Sequence, residues 1–177
     1  MCRWEAFILN EVINRMNAPF NQMQGYTMNR KVIHRLFNTD AGIAAVALRI
    51  PVGIIFAAHG AQKLFGWFGG HGLSGTGQWM ASIGLEPGLL MALLAGSAEF
   101  FGGLALIFGV FVRPAAAVLA FTMLVAILAV HIGNGLFMSN GGYEFGLALL
   151  AASVSLAITG AGRASVDSLL DQRVRAH

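Results

Sequence analysis

Residues 88–111 read GLLMALLAGSAEFFGGLALIFGVF, an apolar run with one charge, Glu99, and long enough to cross a bilayer as a helix. Working outward, similar runs appear on both sides. Upstream, Ile43 to Leu64 is apolar apart from Arg49, Pro51 and His59, and it closes on Lys63, Gly66, Trp67 and Phe68. Downstream, Pro114 to Gly133 follows at once, with proline in the first turn, where its missing N–H costs nothing. Tyr143 to Thr159 completes the set and stops at Gly160. The pattern predicts spans at about 43–64, 88–111, 114–133 and 143–159 in an all-α, integral-membrane four-helix bundle.

Composition agrees. Of 177 residues, 56% are hydrophobic and 11% charged, against about 25% charged in a soluble domain, and the mean hydropathy is +0.69. A soluble globular fold is excluded. The single cysteine, Cys2, rules out an intrachain disulfide, a Cys-x-x-Cys redox pair, a thiolate zinc site and a cysteine-ligated iron–sulfur cluster from this chain alone. A net charge of +3 without a clustered basic stripe does not point to nucleic acid.

The basic residues instead set an orientation. Arg3, Arg15, Arg30, Lys31, Arg35, Arg113, Arg163, Arg173 and Arg175 fall on one side of the spans and Lys63 on the other, with Arg49 inside. The positive-inside rule places both termini in the cytoplasm, of a bacterial inner membrane with the periplasm opposite. Three parts follow: a cytoplasmic segment 1–40, the membrane domain 41–162 and a polar cytoplasmic tail 163–177. Phe7 to Leu9 is too short for a signal-peptide core. Phe7, Ile8, Val12 and Ile13 share one face of a short helix, although Met28 is an alternative start that would remove residues 1–27.

The loop from Gly69 to Pro87 is glycine-rich. Gly70, Gly72 and Gly75 satisfy Gly-x-Gly-x-x-Gly by accident, because no βαβ unit surrounds them. Trp79, Met80 and Ile83 are expected to form the apolar face of a short interfacial helix.

Ionisable groups within spans are costly, by about 2.5–3.5 kcal/mol each on insertion scales, so they mark paired or functional positions. Here they are Arg49, His59, Glu99 and His131, with Lys63 and Glu144 at the outer boundary. His59 stands about 15 Å beyond Arg49 along its helix, Glu99 falls near the midplane, and His131 and Glu144 share the outer level. The expectation is one outer-half polar cluster fed by four helices. For Arg49 and Glu99 the alternatives are a structural ion pair, a proton relay or a ligand contact. His59 and His131 either hydrogen-bond across helices or, as a minor option, ligate haem as an axial pair; no other metal is implied. Lys63 and Arg113 read as interface anchors, and Trp67, Phe68 and Tyr143 as an aromatic belt. Ala92, Gly96 and Gly103 form a stripe that permits close helix approach, and small-residue faces also allow homo-oligomers.

The strings Arg49-Ile-Pro-Val-Gly53 and His59-Gly-Ala-Gln-Lys-Leu-Phe-Gly66 resemble the first-span signature of the DoxX family of small four-helix membrane proteins. Glu99-Phe-Phe-Gly-Gly103, Arg113, His131, Gly142-Tyr-Glu-Phe145 and Gly160-Ala-Gly-Arg-Ala-Ser-Val-Asp167 are similar to its later motifs, over about Ala41 to Leu170. The resemblance implies a component of a membrane redox system, linked in the family to quinol and thiosulfate:quinone oxidoreductases, without settled catalytic residues. Carried over by position, Arg49, His59, Lys63, Glu99, His131 and Glu144 are the candidates. The reading is a quinone-interacting subunit beside a partner oxidoreductase subunit, in contact with lipid. The alternatives are a non-enzymatic membrane adaptor and a small-solute or proton carrier.

Overall fold

The computed structural model describes residues 42–175, all within the second of two units into which the chain divides. The N-terminal segment lies outside the described residues, with its expected short helix, the alternative start at Met28 and five of the nine orienting basic residues.

Among the described residues six α-helices follow one another: α1 (Ile43–Phe65), α2 (Gly72–Ser82), α3 (Gly88–Phe108), α4 (Val112–Ala126), α5 (Glu144–Thr159) and α6 (Val166–Arg175). A π-turn, Ile127–His131, and a 3-10 turn, Ile132–Asn134, extend α4. Among the described residues there is no strand. α1, α3 and extended α4 are each long and apolar enough to cross a membrane. α5 is apolar but has 16 residues, about 24 Å of helix against a hydrocarbon layer of about 30 Å.

α1 packs on α3, α3 on α4, α4 on α5, and α5 closes the ring on α1, giving a four-helix bundle. The α1–α3 seam is the tightest. α3 buries Ala92, Gly96, Glu99, Gly103 and Leu106, alternating four and three residues apart, which draws one narrow stripe along a helix. A Cβ added at Gly60 would sit 2.3 Å from Phe100 N, and one at Gly103 would sit 2.4 Å from Ala57 N. The small-residue stripe is thus used inside the chain, bringing two backbones into contact. Phe56, Leu106, Leu119, Met123, Leu149 and Leu156 fill the rest of the core. Leu94, Phe101, Phe121, Leu128 and Ile158 point outward, as a lipid-facing surface requires.

Helices fall in each of the four expected stretches, three of them long and apolar enough to cross a membrane, and their ends differ from the expected ones. α3 stops at Phe108 because Gly109 takes a left-handed cap at φ 70°. Phe111, at φ 48°, then starts α4 at Val112, so Pro114 does lie in the first turn. The expected interfacial helix exists as α2, yet it folds back along α3. A Cβ at Gly88 would lie 2.1 Å from Gly77 O, and Met80 is buried while Trp79 and Ile83 stay exposed. Glycines on both partners allow that approach, so Met80 turns inward instead of sharing a membrane face with Trp79 and Ile83.

Candidate functional site

The antiparallel register of α1 and α3 decides which charges meet. Gly53 lies against Gly103 and Ile107, Gly60 against Gly96 and Phe100, and Gly96 against Lys63 and Leu64. Glu99 therefore faces the last turn of α1, and Lys63 Nζ donates to Glu99 Oε2 at 2.5 Å. The glutamate side chain is 4% exposed and the lysine 24%. The lysine thus joins a buried carboxylate to a more open space. His59, one turn earlier on α1 and exposed, is near enough to feel both charges, and its ring lies 6.3 Å from that of Phe145 on α5.

The open space is a cleft of about 290 Å³ between the end of α1, the turn that follows it and α2, lined by Gln62, Lys63, Gly69, Gly70, His71, Thr76 and Trp79. Gln62 Nε2 donates to Phe68 O at 3.2 Å and Gly70 N to Trp67 O at 3.0 Å, fixing the turn over the cleft. A Cβ at Gly70 would lie 2.4 Å from Gln62 O, so the chain passes directly over α1. Gln62, His71, Thr76 and Trp79 were not among the sequence candidates. Gln62 had been visible only as part of the quoted string, and the others lay in a loop read as a surface feature.

Arg49 is not the partner of Glu99. Its guanidinium is 14 residues earlier on α1, about 21 Å from Lys63 along the axis, opposite the end of α3. Nη1 donates to Leu106 O at 2.6 Å and Ile107 O at 2.7 Å, Nε to Ala161 O at 3.1 Å, and Nη2 to Ala164 O. Arg49 therefore caps the orphan carbonyls that end α3 and ties the α5–α6 connection to them. Asp167, another residue not singled out, completes this end. Its carboxylate accepts from Phe111 N at 2.7 Å and Val112 N at 2.9 Å, capping α4 from a distance in sequence. Burial pushes the Asp167 carboxyl above its ordinary 3.8, while the two amides and Arg49 pull it back.

His131 and Glu144 have a third role. His131 Nδ1 is 2.7 Å from Gly141 O, and Glu144 Oε1 accepts from Met138 N at 2.6 Å. Tyr143 N to Gly135 O and Glu144 N to Leu136 O, at 3.1 and 2.9 Å, close the same loop. The six sequence candidates thus divide: His59, Lys63 and Glu99 lie near one another at the end of α1, Lys63 alone of the three lining the cleft, Arg49 ties helix ends at the opposite end of the bundle, and His131 and Glu144 pin the α4–α5 loop.

A family model described as DoxX matches residues 44–132. The chain is 35% identical over 130 residues to "Putative oxidoreductase CatD" of Bacillus subtilis (strain 168), covering 73% of this chain and 89% of that protein. It is 34% identical over 140 residues to "Inner membrane protein YqjF" of Escherichia coli (strain K12), covering 76% and 95%. "Inner membrane protein YphA" of the same strain is 29% identical over 136 residues, covering 74% and 93%. No solved structure matches.

Proposed function

The chain belongs to the DoxX family, and from that premise we propose that it is a multi-pass inner-membrane component of a redox system whose Lys63–Glu99 cleft receives a quinone head. The observation that carries the reading is the buried ion pair between two spanning helices, open through Lys63 to a cleft of about 290 Å³. That volume is at the small end of ligand pockets, about 300–1,000 Å³, which suits one ring and leaves an isoprenoid tail in lipid. The printed name of the Bacillus relative, an oxidoreductase, supports a redox role.

Reduction of a quinone takes two electrons and two protons and turns both carbonyls into hydroxyls. The electrons come from a partner oxidoreductase subunit. Lys63 Nζ, a donor already held by Glu99, hydrogen-bonds one carbonyl in this reading, and His71 also lines the cleft. Lys63 passes one proton to that ring oxygen and recovers it from water in the cleft, water supplies the second proton at the other carbonyl, and Glu99 holds the ammonium in place. The apolar wall is Trp79. With both termini cytoplasmic, the cleft opens on the periplasmic side, and α5 serves as a short fourth span.

The test is saturable quenching of Trp79 fluorescence by a short-chain quinone in the detergent-purified protein carrying Trp4→Phe and Trp67→Phe, which leaves Trp79 as its one tryptophan, together with quinone extraction. Binding by the natural sequence, lost in the paired Lys63→Met/Glu99→Gln variant, is expected. Absence of both co-purified quinone and saturable quenching removes the reading.

A membrane adaptor is the second reading, favoured by the α4–α5 loop. It presents exposed Leu136, Phe137 and Met138 in a shape fixed by Glu144 and His131. A partner enzyme recovered from membranes with the natural sequence, but not with Phe137→Glu, would support it.

A further inference from the structure

α6 is attached in an unusual way for a helix beyond the last span. Asp167 is 1% exposed. Besides accepting from Phe111 and Val112, it donates its own N–H to Gly109 O at 3.0 Å. Gly109 and Phe111 belong to the connection between α3 and α4, and Val112 opens α4. A connection between two spanning helices lies at the bilayer face, so the first turn of α6 is fixed at that face. Ser165 caps the helix, with Ser168 N donating to its Oγ at 3.1 Å. Arg49 holds the preceding carbonyls of Ala161 and Ala164.

The polarity of α6 is inverted relative to a helix that packs on a soluble protein. Asp167 and Ser168 are buried, whereas Val166 is 39% and Leu169 60% exposed. Those two share one flank of the helix with Leu170, since positions three and four apart lie together. At the same end, Phe108 and Phe111 are also exposed. Arg163 stands exposed just before the helix, and Arg113 lies in the first turn of α4. Of the two acids on α6, Asp167 is buried and occupied by backbone amides, and Asp171 stands one turn further along the helix.

We propose that α6 is a membrane-surface helix, latched at the bilayer face by Asp167, with Val166 and Leu169 in the acyl region and acidic phospholipid headgroups against Arg163. Apolar residues placed at the headgroup–acyl boundary are covered by lipid. Basic residues there attract anionic headgroups, by about fivefold in affinity per charge near the surface. This inference is independent of the quinone reading, since it concerns the opposite end of the bundle.

The experiment uses the full chain with Cys2→Ser, carrying a bimane label at Leu169→Cys or, as a lipid-facing reference within a span, at Phe121→Cys. Each is reconstituted into phosphatidylcholine vesicles containing brominated acyl chains on either phosphatidylcholine or phosphatidylglycerol. The proposal expects brominated lipid to quench label 169 at least about half as strongly as label 121, and aqueous iodide to quench it several-fold less than the free dye. It also expects stronger quenching from brominated phosphatidylglycerol than phosphatidylcholine, a difference that Arg163→Gln removes. Asp167→Ala should shift label 169 from lipid to iodide. The 169–121 comparison keeps the natural latch, so it decides the question even if Asp167→Ala fails to assemble. Iodide quenching that dominates at 169 would mean the helix projects into water. Protection from both quenchers would mean a protein covers it, either a second copy or a partner. Either result overturns the proposal, and equal quenching by the two headgroups overturns its acidic-lipid part.

Discussion

Lys63 and Glu99 meet at 2.5 Å across two helices whose backbones are themselves in contact, with Gly60 and Gly96 leaving no side chain between them. The close seam makes the pair short and hides the carboxylate, while the end of α1 leaves the ammonium in reach of the cleft. A charge pair in that position is expensive to split and, by itself, does little for stability.

Removing one member should therefore cost far more than removing both. Glu99→Leu or Lys63→Met alone is expected to destabilise the bundle by about 3–5 kcal/mol, and the double variant Lys63→Met/Glu99→Leu by much less. Thermal unfolding of the four proteins in one detergent gives the comparison. Additive losses would mean the two side chains act separately.

The glycine seam predicts a graded series. Gly60→Ala and Gly103→Ala push a Cβ into backbone atoms at 2.3 and 2.4 Å, and overpacking of this kind costs about 1–3 kcal/mol or more. Gly133→Ala meets nothing within 4 Å and should stay within about 0.5 kcal/mol of the natural sequence. The same melts, read by helix circular dichroism, would show whether Gly133→Ala is as damaging as the seam variants, which would refute the register.

Much of this was legible before the structure. Hydropathy placed α1, α3 and α4 within a few residues, because a lipid-facing helix must be apolar along its length. The stripe Ala92, Gly96, Gly103 pointed Glu99 inward for the same reason. The partner of Glu99 was not legible. Arg49 and Lys63 lie 14 residues apart on α1, close to four turns, so both fall near one face, and only the register of α1 against α3 selects between them. Asp167 escaped notice because capping α4 from a distant helix is a long-range relation with no local spacing. His131 and Glu144 share a level with the cleft, yet depth along the bilayer does not tell which backbone groups a side chain will satisfy.

Asp167 predicts a pH dependence with a definite sign. Its folded carboxyl lies above its ordinary 3.8, chiefly through burial, so the folded state binds the proton more tightly than the unfolded chain does. Its contribution to stability is then greatest below about pH 3.9 and falls as pH rises through the folded value. An isotope-edited infrared titration of Asp167 should give a midpoint above 3.8, and one below it would contradict the burial argument. Asp167→Asn, which keeps an acceptor oxygen, should be milder than Asp167→Ala, which leaves two buried amides unpaired at about 1–3 kcal/mol each.

The α4–α5 loop separates a structural glutamate from a proton-carrying one. Glu144 is exposed and its Oε1 accepts from Met138 N at 2.6 Å, a bond that Gln could still accept and Ala could not. Glu144→Gln should leave the loop closed, whereas Glu144→Ala should raise amide exchange at Met138 by about fivefold or more, equivalent to the net value of roughly 1 kcal/mol for one hydrogen bond. His131 anchors the same loop through Gly141 O, so His131→Ala should raise exchange at Asn140 and Gly141 without disturbing the helices. The decisive comparison is with quinone quenching at Trp79. A pinning role leaves that quenching unchanged in Glu144→Gln. A loss of quenching in Glu144→Gln, with exchange at Met138 unaltered, would instead bring Glu144 back into the proton path.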